Sequence, residues 1–233
     1  MLKELGHYLT KEFTKGSKGE VEAKLKTLKN TDKCIDKVLQ PKYIIYDFET
    51  DTHTDIHIPN HVEVDIIKVD DKQTHNYKEC LINNFGINGY GCDVKFCDWL
   101  FTEENSNSTV IAHNGAGYDN KFILQYCLSK GLVPSSFIRQ GSRITYMNFN
   151  RFNIRFIDSL HFFLQPLKNL SSTYNIDTLK GYFPHHFNKP ENQNYIGSIP
   201  DEKAYGAKNM MPDDYKEFNT WHDSQQNITD WCF

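Results

Sequence analysis

Hydrophobic positions along the chain change period several times, and each change marks an element. Residues 21–39 place apolar side chains at helical spacing in "VEAKLKTLKN" and "DKCIDKVL", inside a charged stretch that Pro41 ends, which predicts a short helical extension over residues 1–40. From Tyr43 onward the pattern is that of strands. "YIIYDFET", "HVEVDIIKV" and "THNYKEC" are rich in β-branched and aromatic residues and predict a three-stranded meander. "DVKFCDWLF" returns to helical spacing with Val94, Cys97 and Phe101 on one face, and "TVIAHN" is a short buried strand. "YDNKFILQYCLSKG" predicts a helix begun near Asp119 and stopped by Gly131. "RITYMNF" and "FNIRFIDSL" predict a hairpin around Asn150, and "PLKNLSSTYN" a helix with proline in its first turn. This order predicts an α/β fold with a mixed central sheet over residues 41–233. It is not the regular βαβ repeat of a dinucleotide fold, and it carries no glycine-rich phosphate loop.

Composition narrows the class. In 233 residues, 39% are hydrophobic and 14% aromatic, enough to build one substantial core. No apolar run is long enough to cross a membrane and the N-terminus lacks the apolar centre of a signal peptide, so the chain reads as intracellular, in nucleus or cytoplasm. The six cysteines form no C-x-x-C pair and sit in apolar patterns, as reduced core thiols do. The net charge of −4 argues against a general nucleic-acid coat, but the segment from Asp119 to Lys189 holds nine Lys or Arg against three acids. That segment is either a solvated basic surface or a phosphate-binding face.

The chemistry concentrates at the end of the first strand. Residues i and i+2 of a strand share a face, so Asp47 and Glu49 project together from "DFET". Two carboxylates that close repel one another, and a hard divalent cation such as Mg²⁺ or Mn²⁺ relieves the repulsion; a strand simply leaving the core is the plainer reading. "AHNGAGYDNKFIL" adds Asp119 at the start of a helix directly after a strand, where it can reach back toward Asp47 or merely cap its helix. Gly115 and Gly117 permit the tight backbone between. An Asp-x-Glu on one strand with an Asp opening a later helix is the layout expected for two-metal phosphodiester hydrolysis.

These residues resemble the 3′→5′ proofreading exonuclease domain of family B DNA polymerases, of the organellar and viral, protein-primed branch found in phages, adenoviruses, linear plasmids and Polinton/Maverick elements. "DFET" is similar to that family's first exonuclease motif and "HNGAGYD" to its second. "DSLHFF" resembles the Ser/Thr-Leu-x-x-hydrophobic motif that holds single-stranded DNA, and "LKGYF" the Lys-x-x-hydrophobic motif. "FPHHFN" and the stretch after Tyr195 look like the adenovirus and Polinton side of the branch. Four motifs in order over residues 43–183 make the likeness specific.

The resemblance implies an RNase H-like exonuclease fold using two Mg²⁺ or Mn²⁺ ions. Asp47 would bridge them, Glu49 complete one and Asp119 hold the second, while Lys180 would neutralise charge on the scissile phosphate. Asn114 would orient the terminal nucleotide and Tyr118 pack on its sugar or base. Thr50, His113, Ser159 and Leu160 would grip the last nucleotides of a single-stranded DNA 3′ end. Singly, Leu160 could be core, His113 a strand cap and Lys180 a solvated lysine. The family's third motif, Tyr-x-x-x-Asp on a helix, has no match beyond Tyr43 and Asp47, whose Asp already belongs to the first motif, and the polymerase palm is absent. The expectation is therefore a polymerase fragment, incomplete at its C-terminus, whose full context would include primer-template DNA, deoxynucleotides and a terminal protein. Two alternatives stand beside it. One is a stand-alone exonuclease on DNA or RNA, its fourth carboxylate supplied by Asp223 or Asp230; the other is a non-catalytic single-strand-binding module.

Overall fold

Alternation along the first strand decides which face of the sheet is covered. In the computed structural model, which describes residues 42–53, 56–68, 80–176 and 181–232, β1 spans Lys42–Asp51. Its even-numbered side chains Ile44, Tyr46 and Phe48 are buried, whereas Asp47 is exposed and Glu49 half-buried on the opposite face. β2 (Ile58–Lys68) runs antiparallel to β1 and contributes Val62, Val64 and Ile66 to the same inner face.

Two helices cover that face. α1 (Cys92–Leu100) buries Cys92, Phe96, Cys97 and Leu100, and α2 (Asp119–Ser129) buries Ile123, Tyr126 and Cys127. Phe96 stacks on Tyr46 with ring centroids 5.2 Å apart and meets Phe48 edge-on at 5.7 Å. Side chains of this size each stabilise the fold by roughly 1.5–3 kcal/mol through burial alone. α2 ends where Gly131 adopts φ +67°, the left-handed conformation that closes helices.

The remaining strands complete a seven-stranded sheet in the order β3-β2-β1-β4-β7-β6-β5. β4 (Ser108–Ala112) and β7 (Ile154–Asp158) run parallel to β1 at the centre. The flanking strands β3 (Leu81–Asn88), β6 (Arg143–Phe149) and β5 (Ser136–Gln140) pair antiparallel with their neighbours. The sheet is therefore mixed, as the order of elements predicts. α3 (Leu167–Tyr174) follows β7, and the C-terminal part packs Phe218 of α4 (Pro212–Gln225) with Tyr205, Tyr182 and Trp221. A short pair, β8 (Ile196–Gly197) with β9 (Trp231–Cys232), closes that part.

The structure corrects several expectations. Leu81–Asn88, which was not expected as a strand, pairs with β2; "LINNFGIN" is an edge strand rich in Asn with a mostly exposed face, so its alternation is weak, and the strand expected over "THNYKEC" falls almost wholly on residues outside the described part. Residues 71–79 lie outside the described part, as do the expected helical extension over residues 1–40 and Lys180. Val94 faces solvent, because α1 buries the stripe of Cys92, Phe96 and Leu100 instead. β5 was not expected at all: all five of its residues are exposed, so it carries no buried period to read. The hairpin joining β6 and β7 and the helices α2 and α3 fall where the pattern places them.

Candidate active site

β4 stops pairing with β1 after Ile45 and Ile111, so the last residues of β1 run on without a strand on that side. The Phe48 N–H is instead taken by Asp119 Oδ1 at 3.1 Å. The first residues of α2 are thereby fixed to β1. Tyr46 reinforces the joint, donating its hydroxyl to Asn120 Oδ1 at 2.8 Å, while Asn120 donates to the Ile144 carbonyl of β6 at 2.9 Å.

Asp119 is only 4% exposed. Burial and the nearby Asp47 carboxylate raise its carboxyl to about 6, against the pull of the hydrogen bond from Phe48. Asp47 and Asp119 thus sense each other, and Glu49 shares the Asp47 face of β1. Three carboxylates are brought to one end of the central strand.

The turn that delivers Asp119 is held from below by a residue the sequence reading passed over. Asp158, at the end of β7 and buried, accepts the Asn114 N–H at 2.8 Å and the Leu160 N–H at 2.9 Å on Oδ1, and the Ala116 N–H at 3.0 Å on Oδ2. One carboxylate so ties the turn before α2 to the start of "SLHFF". Arg143 of β6 stands 3.9 Å from Asp158 Oδ2 and donates to Asn114 Oδ1 at 2.9 Å. Asn114 takes the left-handed conformation, φ 66°, and a Cβ on Gly115 would lie 2.7 Å from Ala112 Cβ, which is why a glycine follows it. An Asp directly before Ser-Leu, with its side chain on the N–H two residues on, is a local turn signal that could have been read; its two longer bonds carry no sequence signature.

The expected DNA-contacting residues divide into two groups. Tyr118 hydroxyl meets Thr50 Oγ1 and His57 Nδ1, the latter at 2.7 Å, and its ring packs edge-on against Phe122, so Tyr118 and Thr50 form one cluster beside Glu49. Burial and the adjacent acids push the Tyr118 phenol above its ordinary value, although the Thr50 bond opposes them. His113 is engaged inside the chain: Nε2 donates to the Gln165 carbonyl at 3.0 Å, leaving Nδ1 to accept from Ser159 Oγ at 3.0 Å. This is the arrangement of a strand-cap histidine. Leu160 and Ser159 are half-buried, and beyond them Phe162, Phe163 and Leu164 are exposed, Leu164 by 85%.

The donor chemistry, hard carboxylate oxygens with a repulsion between Asp47 and Asp119 to relieve, suits a divalent cation. Among the described residues no group of three or more His, Cys, Asp or Glu stands close enough together to enclose one. Among them, too, no helix is long and apolar enough to cross a membrane.

Comparison with known proteins gives three findings. A family model described as DNA polymerase type B, organellar and viral, matches residues 102–232. A probable DNA polymerase of Ascobolus immersus is 28% identical over 151 residues, 57% of this chain and 12% of that protein, and one of Agaricus bitorquis is 30% identical over 111 residues, 46% and 14%. The chain therefore spans about an eighth of the length of these relatives. Among solved structures, Phi29 DNA polymerase complexed with primer-template DNA and incoming nucleotides superposes with a TM-score of 0.50 at 17% identity, over 72% of this chain and 28% of that one. At that identity the likeness speaks for the fold, which is that of an RNase H-like domain with a mixed central sheet.

Proposed function

The chain belongs to the DNA polymerase type B family, organellar and viral, and from that membership we propose that this part of it carries the 3′→5′ exonuclease function, hydrolysing the terminal nucleotide of a single-stranded DNA 3′ end. The observation that carries the reading is that Asp119, at the start of α2, accepts the N–H of Phe48, the residue between Asp47 and Glu49 on β1, and that Asp47 contributes to lifting the Asp119 carboxyl to about 6. A buried acid made reluctant to ionise by another acid is a costly arrangement, and such costs concentrate at functional sites.

Asp47, Glu49 and Asp119 are the residues that would hold Mg²⁺ or Mn²⁺. Bound there, the divalent ions would supply Lewis-acid stabilisation of the charge that builds on the phosphate and ease loss of the proton from the attacking water. The chain's own residues would do the positioning. Tyr118, set by Thr50 and His57, would face the last sugar or base. Asn114, fixed by Arg143 and Asp158, would orient the terminal nucleotide. Phe162, Phe163 and Leu164 would receive the unpaired bases before it, and Lys180 would steady the phosphate. Water oxygen forms the new bond to phosphorus, the bond from phosphorus to the preceding 3′ oxygen breaks, and that oxygen leaves as a hydroxyl, releasing a deoxynucleoside monophosphate. Primer-template DNA, deoxynucleotides and a terminal protein would belong to the longer polymerase.

The test is incubation of a 3′-labelled single-stranded oligonucleotide with the purified chain in Mg²⁺ or Mn²⁺. Release of mononucleotides that stops in EDTA and in both Asp47→Ala and Glu49→Ala supports the reading; release unchanged in those variants would reject it. Binding without cleavage would favour a second reading, a non-catalytic single-strand-binding module. The exposed run Phe162–Leu164 and the open set of carboxylates give that reading its support. A stand-alone exonuclease would need Asp223 or Asp230 to join the carboxylates, and neither completes such a group among the described residues.

A further inference from the structure

The motif "FPHHFN" has no role in the function just proposed, yet the structure seats it against the carboxylates. Pro184 and Asn188 are buried, while His185 and His186 between them are exposed. The loop is built around short bonds: the His185 N–H donates to the Phe183 carbonyl at 3.0 Å, and the Phe187 and Asn188 N–H groups both donate to the Pro184 carbonyl, at 2.8 and 3.2 Å. Its conformation is therefore set locally.

Its place is set by Asn188. That side chain, with no exposed surface, donates to the Thr50 carbonyl at 3.0 Å and to Asn60 Oδ1 at 3.0 Å, accepts from Asn60 Nδ2 at 2.5 Å, and accepts from Gln193 Nε2 at 3.0 Å. Thr50 is the residue after Glu49, so the loop is pinned directly beside the acid pair. His186 ties the other side, its N–H donating to the Ala204 carbonyl at 2.8 Å. Held between, His185 places Nδ1 3.7 Å from Glu49 Oε2, with 59% of its side chain open to solvent.

We propose that the Phe183–Asn188 loop is a third wall of the site, in which His185 donates a hydrogen bond to the phosphodiester preceding the 3′-terminal nucleotide and Asn188 is the positioning residue that holds it there. A buried amide network next to a catalytic strand end is more than a packing need, because an apolar pair would fill the same space without four bonds to satisfy. An exposed imidazole at a site of clustered acids offers an N–H donor where the acids themselves can only accept. The ligand class is thus a phosphodiester anion. The proposal rests on the exonuclease reading for its substrate.

The experiment measures equilibrium binding of two single-stranded oligonucleotides in Ca²⁺ by fluorescence anisotropy, one with an ordinary terminal linkage and one with an uncharged methylphosphonate at that linkage only. The full chain is compared with His185→Ala, His185→Gln and Asn188→Ala, and cleavage in Mn²⁺ is followed in parallel. The wild-type chain should prefer the charged linkage by about tenfold, the size of one hydrogen bond to a charged group. His185→Ala and Asn188→Ala should cut that preference severalfold, leaving the share owed to the divalent ion and Lys180, while still binding the rest of the strand, and His185→Gln, which keeps an N–H donor, should regain part of it. A preference unchanged in His185→Ala, or absent from the wild type, overturns the proposal. Should Asn188→Ala fail to fold, the two His185 variants decide, since that side chain is exposed. Cleavage missing with the preference intact would overturn only the hydrolytic reading; cleavage intact with the preference insensitive to His185 would overturn only the third wall.

Discussion

Asp158 Oδ2 accepts the Ala116 N–H at 3.0 Å across 42 residues of chain, joining the end of β7 to the turn that launches α2. Because the same carboxylate also takes the Asn114 and Leu160 N–H groups, it is the common anchor of the two segments that resemble the second exonuclease motif and the strand-gripping motif. Asp158→Ala would orphan three backbone donors at once. The buried Ala116 donor left unpaired costs about 1–3 kcal/mol and each of the two part-buried bonds about 0.5–1.5 kcal/mol, so the expected loss of stability is at least about 2 kcal/mol. Urea unfolding of the two proteins checks it, and Asp158→Asn, which keeps one acceptor oxygen, should fall between them.

Asp119 offers a test in the opposite direction. Its folded carboxyl, raised to about 6, binds a proton more tightly than the unfolded one near 3.8, so between those values the folded state holds more protons and stability falls as pH rises through the window. Above pH 6 the charged form therefore costs on the order of 2–3 kcal/mol. Asp119→Asn keeps an acceptor for the Phe48 N–H without the charge. Measured by thermal unfolding without divalent ions, it should be more stable than the parent at pH 7.5, with the advantage gone below about pH 4. The same variant should release no nucleotide in Mn²⁺.

Tyr118→Phe removes one hydroxyl that meets Thr50 and His57 but keeps the edge-on contact with Phe122 at 5.2 Å. The expected cost to folding is about 1 kcal/mol. In steady-state cleavage of single-stranded DNA, the ring stays but loses its setting, so KM should rise severalfold more than kcat falls.

Phe162→Ser and Leu164→Ser change side chains that are 68% and 85% exposed. Stability should move by less than about 0.5 kcal/mol. If bases stack there, Phe162→Ser should lower affinity for an oligothymidylate by about 1–3 kcal/mol and Leu164→Ser, which loses only apolar contact, by less, as titration by fluorescence would read.

Much of the carboxylate end was legible because it obeys short-range rules. Asp47 and Glu49 share a face by the two-residue period of a strand, and Asp119 follows a strand and opens a helix, so periodicity alone places them. What escaped was long-range. The pairing of Asn60 with Asn188 spans 128 residues, and nothing local distinguishes either amide from a surface asparagine. Asp158 reads as the polar end of a strand until its partners from the neighbouring turn are seen. β5 and β3 escape for a related reason: exposed or Asn-rich edge strands carry little buried periodicity.

Asn60 sits where the ladder between β1 and β2 slips: Glu49 faces His61, Thr50 faces Pro59, and Asn60 is the residue left over. The two-beat rhythm of β2 breaks there, with Pro59 and Asn60 both turned inward. This extra residue acts as a phase marker. Its amide faces inward in step with Val62 and Val64 and so meets Asn188, while Pro59 and the residues before it pair with β1 one position late. Deleting the single residue would restore regular alternation with Pro59 still opposite Thr50, leaving the preceding segment and the covered core strands on their present faces while removing the amide that seats the His185 loop.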